Sequence, residues 1–75
     1  METYKNLGGD SNVSTYEIGP DYIIVQFRDS SQYLYNYQST GQADVEHLKT
    51  LAAGGHGLNS YINRVIRKRY ARKLR

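Results

Sequence analysis

Tyr22-Ile23-Ile24-Val25-Gln26-Phe27 and Tyr33-Leu34-Tyr35-Asn36-Tyr37, separated by Arg28-Asp29-Ser30-Ser31-Gln32, are the residues that decide the fold. Both runs are rich in β-branched or aromatic side chains, with large apolar groups at alternate positions, as in a half-buried strand. Parity sets the turn between them. A three-residue loop, Asp29-Ser30-Ser31, pairs Phe27 with Tyr33, Val25 with Tyr35 and Ile23 with Tyr37, so every large side chain shares one face. A two-residue loop opposes Phe27 to Leu34 and mixes the faces. The odd-length loop is therefore expected, with serine where such loops usually place glycine in the left-handed position.

Outward toward the N-terminus, Val13 to Ile18 reads as another strand, and Gly19-Pro20-Asp21 as the turn that ends it. Residues 1–12 read as a flexible tail, because Leu7-Gly8-Gly9-Asp10-Ser11-Asn12 is turn-rich and has no apolar period. Toward the C-terminus, residues 38–42 read as a loop, with Ser39 or Thr40 as cap of the next helix. Val45, Leu48, Leu51 and Ala52 recur at helical spacing until Gly54-Gly55 stops them. His56-Gly57 is a tight connection. A second helix begins near Leu58, with Asn59 or Ser60 as its cap and Leu58, Tyr61, Ile62, Val65 and Ile66 on one side. Its apolar stripe ends at Ile66, so the spacing predicts a helix that runs off the core into solvent. The expected fold is α+β: a three-stranded antiparallel sheet (β-β-β-α-α), covered on one face by two helices, in one domain over residues 13–75. Its inner sheet face would hold Ile23, Val25, Phe27, Tyr33, Tyr35 and Tyr37.

A chain of 75 residues is one domain, and at this size folding buries only about 60% of the unfolded surface. Without cysteine there are no disulfides, and two histidines are too few for a metal staple. Eight of the nine aromatic residues are Tyr, whose rings fill a thin core while the hydroxyls stay wet. No apolar run approaches the ~20 residues of a membrane span, and no leader pattern opens the chain; the expectation is a cytoplasmic protein. Oligomeric state is not legible.

Charge is polarised along the chain. Residues 1–46 carry two basic and seven acidic side chains, a balance of −5; residues 47–75 carry eight basic and no acidic ones, a balance of +8. Seven of those cations fall in residues 64–75: Arg64, Arg67, Lys68, Arg69, Arg72, Lys73 and Arg75. On a continuous helix Arg64, Arg67, Lys68 and Arg75 project to solvent, Arg72 lies on a flank, and Arg69 and Lys73 extend the apolar stripe beyond the core. A helix terminus favours cations through its dipole, but seven exceed that requirement. Such a segment attracts polyanions, and nucleic acid held through its phosphates is the first expectation. The alternative is a protein-interaction adaptor docking onto an acidic partner.

Ile23, Val25, Phe27, Tyr33, Leu34, Tyr35, Leu51, Ala52, Gly55, Gly57, Asn59, Ile62, Ile66 and Tyr70 together give a pattern that resembles the KTSC domain over residues 13–70. KTSC domains occur at the C-terminus of some lysyl-tRNA synthetases and alone as small bacterial or phage-type proteins, with no assigned biochemical role. The resemblance implies the fold and, by analogy with the synthetases, an RNA context. Where many relatives place a Val-Pro step after Tyr-x-Tyr, this chain has Gln38-Ser39-Thr40-Gly41.

Other constellations have structural readings. Tyr33, Tyr35 and Tyr37 suggest base stacking, but they share their face with Ile23, Val25 and Phe27 and belong to the core; Tyr16, Tyr22 and Tyr70 are freer to be exposed. Asp44 and His47 share a helix face without a third metal ligand. Gly54-Gly55-His56-Gly57 lacks the Lys and Ser/Thr of a phosphate-binding loop. No catalytic spacing and no cofactor motif is present, and a substrate-sized pocket is not expected in so thin a domain. The chain reads as a non-catalytic binding module.

Overall fold

A computed structural model describes residues 1–9 and 11–75. Asp10, part of the turn-rich stretch above, lies outside the described residues. The chain is α+β, with an antiparallel sheet of five strands in sequential order: β1 (Glu2–Thr3), β2 (Val13–Ile18), β3 (Tyr22–Phe27), β4 (Gln32–Asn36) and β5 (Arg72–Lys73). Helices α1 (Tyr37–Thr40), α2 (Gln42–Gly54) and α3 (Leu58–Tyr61) follow β4, and α3 continues as one wide π-helical turn over Ile62–Ile66. The three central strands fall where the sequence places them. The expectation of three strands in all is corrected by β1 and β5, two-residue edges with no apolar pattern to announce them.

The central hairpin keeps the expected faces in a register two residues away from the expected one. Val25 opposes Tyr33 and Ile23 opposes Tyr35. The loop is Arg28-Asp29-Ser30: the Phe27 amide donates to the Ser31 carbonyl, and Ser30 takes the left-handed position at φ 72°. A shift of two preserves side-chain parity, so the buried set is nearly unchanged. Tyr37 leaves the sheet and opens α1.

Ile23, Val25 and Tyr35 of the inner face pack with Val45, Leu48 and Ala52 of α2 and with Leu58, Ile62 and Ile66 beyond it. The π turn explains why Val65, expected on the apolar stripe, is 45% exposed. A wider turn carries more residues per revolution, which swings Ile66 back inward and Val65 out. Neither expected side-chain cap forms on the long helices. α2 and α3 start from Gly41 and Gly57 without one, and the Asn36 side chain caps α1 instead, accepting from the Ser39 amide. Gly55 does end α2, in a left-handed conformation at φ 73°.

Both chain ends depart from expectation. Residues 1–12 are expected as a flexible tail, but the chain is docked at Tyr4 and Leu7: Tyr4 is buried, its hydroxyl accepts from the Leu58 amide, and the Leu7 amide donates to the Gly55 carbonyl. A side chain as large as tyrosine is worth burying in so small a core. At the other end the basic helix stops at Ile66. Arg67 adopts φ 53°, ψ −116° and reverses the chain. Residues 71–75 then satisfy the open edge of β4: the Ala71 amide donates to the Leu34 carbonyl, the Leu74 amide to the Gln32 carbonyl, and the Gln32 amide to the Arg75 carbonyl. Extending the helix would have stacked like charges three and four residues apart with nothing apolar to bury, and an unpaired edge offers backbone partners instead.

Candidate nucleic-acid interface

The reversal after Ile66 sorts the seven expected site residues into different places. Arg69 is the one neutralised. Its guanidinium donates to Asp44 Oδ2 at 2.6 Å and to the Thr40 carbonyl at 3.1 Å, while Thr40 Oγ1 donates back to the Arg69 carbonyl at 2.6 Å. The Tyr61 hydroxyl completes the cluster, donating to Asp44 Oδ1 at 2.8 Å. Bonds from Tyr61 and then Arg69 hold the Asp44 carboxyl below the usual aspartate range, and the same carboxylate raises the Tyr61 hydroxyl. This is a latch that fastens the chain after the π turn to the start of α2.

Arg64, Arg67, Lys68, Arg72, Lys73 and Arg75 are exposed, and among the described residues none forms a salt bridge. They do not line one helix face. Arg67 and Lys68 stand at the reversal, Arg64 on the π turn, and Arg72 and Lys73 alternate on β5 opposite Leu34 and Tyr33. Lys73 Nζ lies 5.8 Å from the centroid of the Tyr33 ring.

Between the β3–β4 hairpin and the π turn the reversal walls off a groove of about 530 Å³. This corrects the expectation that the domain is too thin for one, since a pocket of this size is in the range that small ligands occupy. Phe27, Tyr33, Tyr35 and Tyr70 form its aromatic floor. Tyr33 packs against Tyr70 at 4.7 Å between centroids and meets Phe27 edge-on at 5.7 Å. Arg28, Arg67 and Lys68 contribute cations to the lining, and Asn12, Asn59 and Asn63 contribute amides. Asp29 stands there too. Its carboxylate accepts from the Ser31 hydroxyl at 2.6 Å and the Ser31 amide at 3.0 Å, which keeps it ionised to lower pH than usual.

Tyr35 is the deepest of the floor residues, 1% exposed. Burial pushes its hydroxyl well above the normal tyrosine range, so it stays protonated. That hydroxyl has no hydrogen-bond partner among the described residues, yet no described side-chain polar atom is both sealed from solvent and unpartnered. Tyr35 is one of the residues that line the groove.

Asn59 and Asn63 also line a second groove of about 600 Å³, beside Tyr4, His56 and Arg64. The residues that sequence reasoning missed are Arg28, Asn59 and Asn63. One signal was available: Asn59, Asn63 and Arg67 recur every four residues, a polar row beside the apolar stripe. Tyr16, expected to be freer, is buried, and Tyr70 packs on Tyr33 and Tyr35; Tyr22 is half-buried, its hydroxyl donating to Glu17. His47 stacks near Tyr61 at 4.5 Å, and among the described residues no group of three His, Asp or Glu side chains converges on a metal position. No described helix is long and apolar enough to cross a membrane. Compared with protein-family models, curated proteins and solved structures, the chain matches none.

Proposed function

We propose that this chain is a non-catalytic nucleic-acid-binding module, for RNA in the first place, that holds phosphates on the cations of residues 64–75. The observation that carries this reading is the imbalance within that segment. Six of its seven cations form no salt bridge among the described residues, although the same molecule uses Asp44 and Glu46 to pair Arg69 and Lys49. Unpaired cations concentrated in one segment of a small domain raise the local concentration of polyanions and release counterions when they bind them.

The backbone at Arg67 adds support. A non-glycine residue at φ 53°, ψ −116° carries strain of about 1–3 kcal/mol, and such outliers gather at functional sites. Arginine stands there at a reversal that glycine would make without strain. The resemblance to KTSC domains supplies an RNA context by analogy. The earlier picture of a rod-like basic helix on a phosphate backbone gives way to cations spread over a reversal and an edge strand.

Fluorescence anisotropy with a labelled single-stranded RNA tests this. With about four phosphates neutralised, affinity falls roughly 50-fold between 50 and 200 mM salt. Arg64→Glu/Arg67→Glu weakens binding by about two orders of magnitude at 50 mM salt and leaves the fold intact by circular dichroism. Absence of binding at that salt concentration rejects the proposal. Equal salt-sensitive capture of a polyglutamate peptide favours the rival, an adaptor for an acidic protein.

A further inference from the structure

Phosphate contacts alone require no cavity. A strand held only through its backbone lies on a convex cationic surface, and duplex does so as well as single strand. Here the free cations adjoin a groove whose floor is aromatic and whose walls carry amides. The combination of a flat π surface, a tyrosine hydroxyl on a lining residue and flanking positive charge matches one chemical group. We infer that the groove seats one unpaired nucleobase of a single-stranded nucleic acid. This inference rests on the reading above and narrows it from polyanion to single strand.

The base lies against the Tyr33–Tyr70 pair. Tyr33 is half-buried, so its ring both packs on Tyr70 and reaches the groove. Stacking of a base on an aromatic ring accepts any base, because every base has a π face. Lys73, beside the same ring, and Arg67 with Lys68 on the rim place cations on the phosphates to either side. Asp29 disfavours phosphate at the hairpin end and so gives the strand a direction away from it.

The Tyr35 hydroxyl supplies the polar contact. A hydroxyl that is buried, protonated and without a partner among the described residues offers a donor and an acceptor to a ligand. The edge of an unpaired base presents the complementary groups. In duplex those edges are paired and stacked, so the seat selects single strands. Asn63 belongs to both grooves, which makes it the point where the next nucleotide leaves the seat.

The test compares four probes at 100 mM salt: a single-stranded RNA 8-mer, the same sequence as DNA, an 8-mer with an abasic centre, and a blunt duplex. The single strands are expected to bind at least tenfold tighter than the duplex, and the abasic centre to cost about tenfold. A preference for RNA over DNA assigns the 2′-hydroxyl a role; equal binding leaves the seat general for single strands, and both accord with the inference. Tyr33→Leu, which keeps the apolar bulk but removes the π face, loses about tenfold for the intact 8-mer and nothing for the abasic one. Tyr35→Phe leaves the ring packing in place and loses severalfold for the intact 8-mer alone. Should Tyr33→Leu fail to fold, Tyr35→Phe and Asn63→Ala decide. Salt-sensitive binding that is equal for all four probes, and indifferent to both tyrosine changes, overturns the base seat while the phosphate-binding reading survives. If none of the probes binds even at 50 mM salt, both fall.

Discussion

Arg69 turns back over α2, where Asp44 and the Thr40 carbonyl hold its guanidinium, whereas Arg67, two residues earlier, carries a guanidinium at the rim of the groove with no carboxylate partner among the described residues. Around Arg69 every group answers another: Tyr61 and Arg69 share one carboxylate, and Thr40 and Arg69 exchange hydrogen bonds in both directions. Around Arg67 the pattern is reversed. The backbone is strained, and the neighbouring cation Lys68 is unpaired among the described residues. The first arrangement is what a folded chain needs to fix its own course. The second leaves unmet demand on one face, and such demand is a mark of recognition surfaces.

The strongest way to break this contrast is at Asp44. Asp44→Ala removes the acceptor for both Tyr61 and Arg69 and is expected to cost about 1–2 kcal/mol in urea unfolding, at the low end because the pair is partly exposed. The loss has a defined pH window. Asp44 titrates below its ordinary range in the folded state, so its contribution is complete above about pH 4 and disappears as pH falls through the depressed value. Tyr61 titrates above its ordinary range, so its contribution is complete below about pH 10 and fades as pH rises through the raised value. The gap between wild type and Asp44→Ala is thus widest between those limits. A gap independent of pH would show that the latch is not electrostatic.

A smaller effect of opposite sign is expected at Arg67. Arg67→Gly relieves the strained backbone at some entropic cost in the unfolded chain, and the net gain is roughly 0.5–1 kcal/mol by the same urea measurement. Affinity for single-stranded RNA falls at the same time. If stability drops instead, Arg67 holds the fold together and is no different from Arg69. The finest probe of the contrast is Asp29, the carboxylate on the groove. Asp29→Asn retains the cap on Ser31 and removes the negative charge, and should raise RNA affinity two- to threefold, read by anisotropy at 50 mM salt. Unchanged affinity would place the phosphates away from the hairpin end.

Much of the framework is legible in the order of residues. Alternation over Tyr22–Phe27 and Tyr33–Tyr35 defines the inner sheet face, because strand periodicity is local. The same logic misplaces the hairpin register by two, since parity cannot distinguish registers that keep the same faces. Val45, Leu48 and Ala52 announce α2, and Gly55 its end. The end of the last helix is another matter. Its apolar stripe fades at Ile66, which is readable, but the reversal at Arg67 is set by a distant edge of β4 that needs backbone partners and by Tyr70 finding Tyr33 and Tyr35.

What the sequence determined by itself is the charge inventory, the buried face of the central sheet and the point beyond which no apolar group remains to hold a helix on the core. These follow from composition and from periods of two and of about 3.6 residues, and both act over short distances. The tertiary structure alone decided which arginine is neutralised, that Tyr4 joins the core, and that a groove exists at all. Each of these depends on groups tens of residues apart in the chain meeting in space, as Thr40 and Arg69 do, and no local period encodes such meetings.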